Sequence, residues 1–453
     1  MSTVMRQKSA QAERMKLSEG EALGDVVRGE AGDPQWDTQD TGSALLEQVL
    51  TRGNLQRAWK RVKVNKGSAG IDGLDINQTA DYLKSHWSEI RAQLRAGRYC
   101  PSPVRRVMIP KPGGGQRELG IPTVLDRLIQ QAVLQVLQPI IDPIFSEYSY
   151  GYRPGRRAHD AVLQAQRYVQ SGKRRVVEVD LESFFDRVNH DVLMSRVSRH
   201  VSDRGILRLI RSYLNVGIMD QGVLVERYQG TPQGGPLSPL LANIMLDEVD
   251  QALASRGHRF IRYADDCNVY VGSRKAGERV MAFLRRCYKK LKLKVNESKS
   301  GVRSVFDHQL LGYSFWVGPK GKIKRAVSPK AKKTFKHRIR QLTRRRYGQS
   351  LQEIVVRLRA YLLGWKGYFG LSQTPKVWRR LDEWLRHRLR AVRLKQWKRG
   401  KTQYRELLSL GASPSVARRI AANSRRWWRN SGLLLNSVLT IRYFDDLGLP
   451  RLS

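Results

Sequence analysis

The sequence predicts an α+β protein in which strands of an antiparallel sheet precede a group of amphipathic helices. Phe260 and Ile261 before the pair Asp265-Asp266, and the apolar run 269–271 after it, predict two strands that meet at a tight turn. The apolar run over 174–180 predicts another strand of the same sheet. From about residue 330 onward, apolar residues recur instead with the period of a helix.

Three carboxylates are expected to meet at the ends of these strands. Asp180 ends the strand over 174–180, and Asp265 and Asp266 lie in the turn between the other two strands. Like charges so close repel, so a carboxylate pKa rises unless cations neutralise the group. Two Mg²⁺ ions roughly 4 Å apart would do so, and would also hold the attacking and leaving oxygens of a phosphoryl transfer. The alternative is an exposed acidic turn, and the doublet alone does not decide between the two.

Further motifs surround the carboxylates. In chain order they are Gly67-Ser68-Ala69-Gly70-Ile71-Asp72-Gly73, the segment 109–122, Gly151-Tyr152-Arg153-Pro154-Gly155-Arg156, the segments 181–190 and 229–239, Asn296-Glu297-Ser298-Lys299-Ser300, and Leu310-Leu311-Gly312-Tyr313. With these motifs in this order, the chain from about Leu45 to its end resembles the reverse transcriptases encoded by group II introns. Clustered His or Cys residues of a nuclease do not follow, which is typical of the bacterial IIC subclass that lacks an endonuclease domain.

The resemblance implies a right-hand polymerase fold. Fingers and palm with an antiparallel sheet are expected over 43–317, a helical thumb or maturase domain over 318–400, and a basic DNA-binding segment over 401–453. Residues 1–42, with five Lys or Arg and eight Asp or Glu, are expected to form a disordered acidic extension.

The resemblance also implies a function, that of an RNA-directed DNA polymerase. The primer 3′-OH would attack the α-phosphate of a dNTP while Asp180, Asp265 and Asp266 hold two Mg²⁺ ions, with Mn²⁺ as a substitute. The expected partners are an RNA template with a DNA primer, a DNA target, and a structured intron RNA that the protein helps to splice and then copies into DNA. Two alternatives are an RNA-binding splicing factor with an idle polymerase, and a relative recruited to host defence or DNA repair.

Composition independently favours a nucleic-acid partner. The chain has 83 Lys and Arg against 40 Asp and Glu, a formal charge of +43. Residues 321–453 hold 34 of the basic and six of the acidic residues, together with six of the ten tryptophans. Three cysteines without a CxxC pair, no long apolar run and no signal-peptide pattern predict a reduced protein of the bacterial cytoplasm, associated with its RNA and not with a membrane.

Three helices are expected in the basic region. The first is a basic helix over 330–346, and a second begins at the capping box formed by Ser350 and Glu353. Thr374 caps a third, whose apolar stripe is Trp378, Leu381, Leu385, Leu389 and Val392. Because the tryptophans fall in such stripes, we expect most of them in a small helical core and not stacked on bases.

The incoming nucleotide is expected to meet residues from several motifs. Lys111 and Arg117 flank a glycine-rich hairpin turn and would contact the triphosphate, or else be generic basic residues of a hairpin. Phe185 would block a ribose 2′-OH, with a buried core Phe as the alternative. Gln233 would bind near the sugar, and Gly234 and Gly235 would let the backbone approach. Lys299 would contact the triphosphate or the primer end, or be a solvated lysine. The backbone carbonyl of Leu181 is a further expected metal ligand.

Nucleic-acid contacts are expected from basic and aromatic residues outside the active site. The predicted contacts are Arg153, Arg156 and Arg157 in the first half of the chain and Arg379, Arg380, Arg386, Arg390, Trp427 and Trp428 in the second. The second carboxylate pair, Asp445-Asp446, has no strand after it and is expected to be a structural surface turn.

Overall fold

The structure, a computed structural model, describes residues 44–110, 114–220, 223–225, 229–231, 234–344, 348–432 and 434–453. The predicted extension over 1–42 therefore lies outside the described residues. The chain folds as two compact units, which divide between Ser304 and Val305. The predicted boundary at 317/318 thus falls inside the second unit.

Helices make up most of the first unit. They are α1 (Ala44–Leu50), α2 (Arg52–Asn65), α3 (Ile76–Arg95), α4 (Val124–Ile141), α5 (Ala158–Gln170), α6 (Phe184–Arg187), α7 (His190–Val197), α8 (Arg204–Asn215), α9 (Ser238–Ala254) and α10 (Arg274–Lys290). Helix α9 is buried along almost its whole length, with Met245 and Leu246 fully inside the core. It therefore forms a central support, against which the sheet strand before the carboxylate doublet packs.

One antiparallel sheet holds all three predicted strands. Its strands are β3 (Arg175–Val179), β6 (Arg259–Tyr263), β7 (Asp266–Val271) and β8 (Gly301–Ser304), in the spatial order β6-β7-β3-β8. The predicted α+β class, and the tight turn between β6 and β7, are both confirmed. Val177 and Val269, which pair across β3 and β7, are fully buried, so this sheet lies against the core of the unit.

A second sheet contains the hairpin predicted around the glycine-rich turn. Its strands are β1 (Val104–Pro110), β2 (Gln116–Ile121), β4 (Ile218–Asp220) and β5 (Val223–Val225), in the order β2-β1-β4-β5. Arg117 pairs with Ile109 across the hairpin. Gly114 and Gly115 have φ values of 93° and 76°, which favour glycine and allow the tight reversal of the chain.

The second unit combines a two-stranded hairpin with helices. Its elements are β9 (Tyr313–Val317), β10 (Ile323–Val327), α11 (Pro329–Leu342), α12 (Leu351–Phe369), α13 (Pro375–Gln396), α14 (Gly400–Ser409), α15 (Pro414–Ala422), α16 (Trp427–Gly432) and α17 (Ile441–Asp446). The capping box of Ser350 and Glu353 is present. The predicted apolar stripe of α13 is buried throughout. The predicted helical core is present, and Trp365, Trp378 and Trp397 are buried in it, which is half of the six tryptophans and not most of them.

The segment over 401–453 packs on the helices before it and belongs to the same compact unit. Asp382 on α13 accepts hydrogen bonds from the backbone nitrogens of Leu452 and Ser453, at 2.9 to 3.1 Å. Helix α16 packs on α13 as well. Within the described ranges, no helix has both the length and the apolar character that a membrane crossing requires.

Candidate active site

The two halves of the predicted carboxylate group meet at one end of the β3–β7 ladder. The last pair in this ladder is Val179 with Cys267, so the next residues in register are Asp180 and Asp266. Asp265 lies in the turn beside them, half-buried, while Asp266 is exposed. The pairing that the sequence predicted therefore brings Asp180 to the doublet.

The surroundings of Asp180 disfavour the charged form of its carboxyl, and a bound cation would favour it. Burial raises the pKa of its carboxyl, the charge of Asp265 raises it further, and Lys299 opposes both. The Lys299 ammonium nitrogen lies 3.6 Å from Asp180 Oδ2. The backbone of Asp180 is fixed, because its nitrogen donates to Ser300 Oγ at 3.0 Å and its carbonyl accepts from Asn296 N at 2.8 Å.

The chemistry of this group suits a divalent cation. Its side chains offer carboxylate oxygens alone, which are the donors that Mg²⁺ prefers. Among the described residues, no three His, Cys, Asp or Glu side chains are already arranged as a metal site. The two-ion site, and the Leu181 carbonyl as a ligand, therefore stay predictions.

Tyr152 is a residue of this site that the sequence analysis did not single out. Burial raises the pKa of its phenol to about 12, and the next contribution comes from the charge of Asp265. Arg117 acts in the opposite direction. Tyr152 is therefore influenced both by Arg117, from the β1–β2 hairpin, and by Asp265 of the carboxylate doublet. The only sequence signal for Tyr152 is its place in the Gly151-Tyr152-Arg153 motif.

Phe185 lies on the short helix α6. Its environment is compatible with both predicted roles, a block of the ribose 2′-OH and a place in the core. Its side chain is 8% exposed and packs edge-to-face on Phe184, with ring centroids 5.1 Å apart. The Phe185 carbonyl accepts from Thr231 N at 2.7 Å, and His190 Nε2 is 2.8 Å from the Gly230 carbonyl. These contacts hold the segment 229–231 against Phe185 and His190.

Two of the predicted nucleotide contacts, Lys111 and Gln233, lie outside the described residues. The glycines that follow Gln233 approach other parts of the protein closely. A Cβ on Gly234 would stand 2.4 Å from the carbonyl oxygen of Gly120, and one on Gly235 would stand 2.4 Å from Gln130 Oε1. Packing against the backbone of β2 therefore requires glycine at position 234, whereas the Gln130 side chain on α4 could move away from a Cβ at position 235.

The prediction that Arg153 contacts nucleic acid is wrong. Its side chain is 4% exposed, and Nε donates to Asp142 Oδ1 at 2.9 Å. Its other nitrogens donate to the carbonyls of Ser146, Ser149 and Asp142. A guanidinium with all its directions filled by protein oxygens has no donor left for a phosphate. Arg156 and Arg157 are exposed, so their predicted role stays open.

The prediction is also wrong for Arg386 and Arg390 on α13, which are each 7% exposed. Arg390 Nε donates to the Leu439 carbonyl at 2.8 Å, and its guanidinium lies over the Phe444 ring. Burial, with a contribution from Arg386, lowers the pKa of Arg390 to about 10. The 401–453 segment contacts Arg390, whereas Arg379 and Arg380 on the same helix are exposed.

Trp428 is 45% exposed, as predicted for an aromatic contact, but one face of its ring is already covered. It stacks on His387 with ring centroids 3.9 Å apart and planes 18° from parallel. Trp427 is half-buried, with the Lys395 ammonium 5.1 Å from its ring centroid. Asp445 and Asp446 are the last two residues of helix α17, so the surface turn predicted for them is wrong. Asp445 pairs with Arg451, which lowers its pKa and gives this carboxylate a structural contact.

Comparison with known proteins identifies two matching families. A reverse transcriptase (RNA-dependent DNA polymerase) family matches residues 109–332, and a group II intron maturase-specific domain matches residues 332–411. Protein YkfC of Escherichia coli K12 is 41% identical over 227 residues, which are 48% of this chain and 60% of that protein. The group II intron-encoded protein LtrA of Lactococcus lactis subsp. cremoris is 38% identical over 207 residues, 45% of this chain and 34% of that protein.

The match therefore covers less than two thirds of the length of these relatives. Among solved structures, a chain of a partial Cas6-RT-Cas1–Cas2 complex is 28% identical, covering 56% of this chain and 43% of that chain. Its TM-score is 0.36, which is too low to bear on the arrangement of the whole chain.

Proposed function

We propose a function from the premise that this chain belongs to the reverse transcriptases that carry a group II intron maturase-specific domain. The proposed activity is RNA-directed DNA synthesis, in which dNTPs are added to a primer paired with an RNA template. The structured RNA of a group II intron is the proposed physiological template and partner, whose splicing the protein assists before copying it into DNA. A DNA target supplies the primer end.

The observation that carries the proposal is the register of the β3–β7 ladder. It brings Asp180, from one motif, level with Asp266, from another motif, with Asp265 in the adjoining turn. Carboxylates brought together against their own repulsion favour a function that requires negative charge. Charge neutralisation at the transferred phosphoryl group is such a function.

In the proposed reaction, the primer 3′-oxygen attacks the α-phosphorus of the dNTP in line. The new bond joins that oxygen to the α-phosphate, and the bond to pyrophosphate breaks. Asp180, Asp265 and Asp266 would hold divalent cations, two Mg²⁺ ions in our proposal, which supply charge neutralisation and lower the pKa of the attacking hydroxyl. Lys299, which lies 3.6 Å from Asp180, and Arg117, whose charge acts on Tyr152, would hold the triphosphate.

Intron RNA would bind to the basic surface of the second unit. Arg379 and Arg380 on α13, and Lys330, Lys333 and Arg340 on α11, are exposed. Exposed cations release counterions from RNA on binding, which favours association at low salt. The maturase-specific match spans α12, α13 and α14 and most of α11, and so includes these residues except Lys330.

The test of the proposal is primer extension on an RNA template by wild type, Asp265→Ala and Asp266→Asn. Each variant removes a carboxylate but changes one charge in a chain of formal charge +43, so RNA binding is expected to stay within a few-fold. Extension is expected to require Mg²⁺ or Mn²⁺, and to stop in both variants.

Filter binding of an intron RNA, measured beside the extension assay, separates the two roles. Extension by either variant at the wild-type rate would overturn the assignment of the carboxylates. Absence of extension in the wild type, with RNA binding intact, would favour a splicing factor with an idle polymerase.

A further inference from the structure

The side chain of Arg262 lies beneath the turn that carries Asp265. Arg262 is in β6, and its side chain is fully buried, as are Asp250 and Asn243 on α9. Its Nε lies 2.9 and 2.8 Å from the two carboxylate oxygens of Asp250. Its Nη1 donates to Asn243 Oδ1 at 2.8 Å and to the carbonyl oxygen of Ala264 at 2.9 Å. The guanidinium therefore ties the turn to the central helix.

Ala264 needs such support because its backbone is strained. Its φ is +59°, in the left-handed region that costs free energy for every residue except glycine. Backbone strain of this kind persists only where surrounding contacts over-determine it. The hydrogen bond from Arg262 to the Ala264 carbonyl acts on the strained residue itself, next to Asp265.

Gly151 supports the same turn from another side. A Cβ on Gly151 would stand 2.2 Å from Ala264 N and 2.9 Å from the carbonyl carbon of Tyr263, so the two backbones are in direct contact. Asn243 Nδ2 donates to the Gly151 carbonyl at 2.9 Å. Asn243 thus binds both Arg262 and Gly151, whose backbone contacts Ala264.

A role in stability alone does not explain an ion pair at this place. Removing two charges from water offsets most of their attraction, so a buried pair seldom stabilises a fold more than apolar side chains would. A guanidinium does offer several donors in one rigid plane. Here those donors reach a carboxylate, an amide and a backbone carbonyl at once, which apolar residues could not do.

We propose that Arg262, Asp250, Asn243 and Gly151 form a brace that holds the Ala264–Asp265 turn in its left-handed conformation. Arg262 is then a positioning residue for nucleotide addition, acting through Asp265 without touching substrate. The inference rests on the proposed function of Asp265. Its experiment must therefore separate a failure of the brace from a failure of the polymerase assignment.

The experiment is a pre-steady-state burst of dTTP addition to oligo(dT) on poly(rA), with Arg262→Lys. Lysine keeps a positive charge beside Asp250 but cannot reach the Asn243 and Ala264 oxygens in one plane. A displacement of about 1 Å at a reacting group can cost about 100-fold in rate, so we expect a fall of the burst rate constant of that order. Loss of folded protein would instead lower the burst amplitude, which is expected to stay unchanged.

Arg196→Lys is the matched control. Arg196 also binds a carboxylate of α9, since its Nε and Nη2 donate to Glu248 Oε2 at 3.0 and 2.7 Å. None of its hydrogen bonds to the described residues reaches the Ala264–Asp265 turn. Its burst rate constant is expected within twofold of the wild type. Asn243→Ala serves as a second variant in case Arg262→Lys does not fold, because it keeps the Arg262–Asp250 pair. It must also lower the burst rate constant more than Arg196→Lys does.

The outcomes are distinguishable. If the wild type gives a burst, Asp265→Ala gives none, and the brace variants match Arg196→Lys in rate constant, the brace is overturned and the polymerase assignment stands. The brace is overturned as well if its variants lower only the burst amplitude. A wild type that adds no dTTP with either Mg²⁺ or Mn²⁺ overturns the proposed function, and the brace with it.

Discussion

The ammonium nitrogen of Lys299 lies 3.6 Å from Oδ2 of Asp180, so a carboxylate expected to hold a metal ion already faces a cation of the protein. The Lys299 side chain is 64% exposed, and ion pairs at that exposure contribute little to stability. The contact therefore concerns the chemistry of Asp180 more than the folding of the unit.

Lys299→Gln is expected to raise the KM for dNTPs about tenfold or more, because the substitution removes a charge-assisted hydrogen bond to the triphosphate. Steady-state extension at saturating Mg²⁺ measures the effect. Lys294→Gln is the matched control, since Lys294 is 65% exposed and pairs with neighbouring Glu182 at 3.0 Å. If the two variants have the same KM, Lys299 is a solvated lysine beside Asp180.

Phe185→Ala is expected to raise the incorporation of ribonucleotides relative to deoxyribonucleotides, because the bulk facing the sugar is removed. Truncating a buried Phe costs about 3 to 5 kcal/mol, so the melting temperature is expected to fall as well. Phe184→Ala controls for this cost, because Phe184 is 3% exposed and packs against Phe185. Equal sugar discrimination in the two variants would assign Phe185 to the core.

Gly151→Ala is expected to reduce extension by about 100-fold while the first unit stays folded. The added Cβ would meet the backbone of Ala264 at 2.2 Å, and a backbone clash cannot be relieved by a side-chain rotation. Gly155→Ala is the control, because alanine is strained there by a φ of 69°, but its Cβ would meet nothing within 4 Å. Similar activity of the two variants would show that the turn tolerates displacement.

The double variant Arg379→Gln, Arg380→Gln is expected to make the slope of log affinity against log salt for an intron RNA shallower, by about one unit for each phosphate that is no longer neutralised. Its melting temperature is expected to stay unchanged, because both side chains are exposed. The matched pair Arg386→Gln, Arg390→Gln is expected to lower the melting temperature instead, since both side chains are buried. If the Arg386→Gln, Arg390→Gln variant lost more salt dependence than the Arg379→Gln, Arg380→Gln variant, Arg386 and Arg390 would be the residues that contact RNA.

The strands that carry the carboxylates, the glycine-rich hairpin and the helices α11 to α13 were predictable because each depends on a local pattern. The apolar residues on either side of Asp265 and Asp266 form β6 and β7, and the capping box at Ser350 begins α12. These features depend on residues a few positions apart, and the sequence places those residues next to each other.

The environments of the arginines could not be predicted in this way. Arg259 and Arg262 lie in the same strand, yet the first is exposed and the second is fully buried, because the partner of Arg262 lies on a helix. Arg386 and Arg390 directly follow residues of the apolar stripe of α13, yet both are buried, and Arg390 contacts Leu439 and Phe444 of the segment over 401–453. A count of charged residues does not distinguish these buried arginines from the exposed ones.

The brace beneath the carboxylate turn also constrains how the sequence can vary among homologues. Its members belong to three separate parts of the chain, and Gly151 lies 92 positions before Asn243. Loss of Asp250 would leave a buried guanidinium unpaired, and a larger residue at position 151 would displace the turn that Arg262 holds. Homologues of this chain are therefore expected to keep or exchange residues 151, 243, 250 and 262 as a set, even where the intervening sequence has diverged.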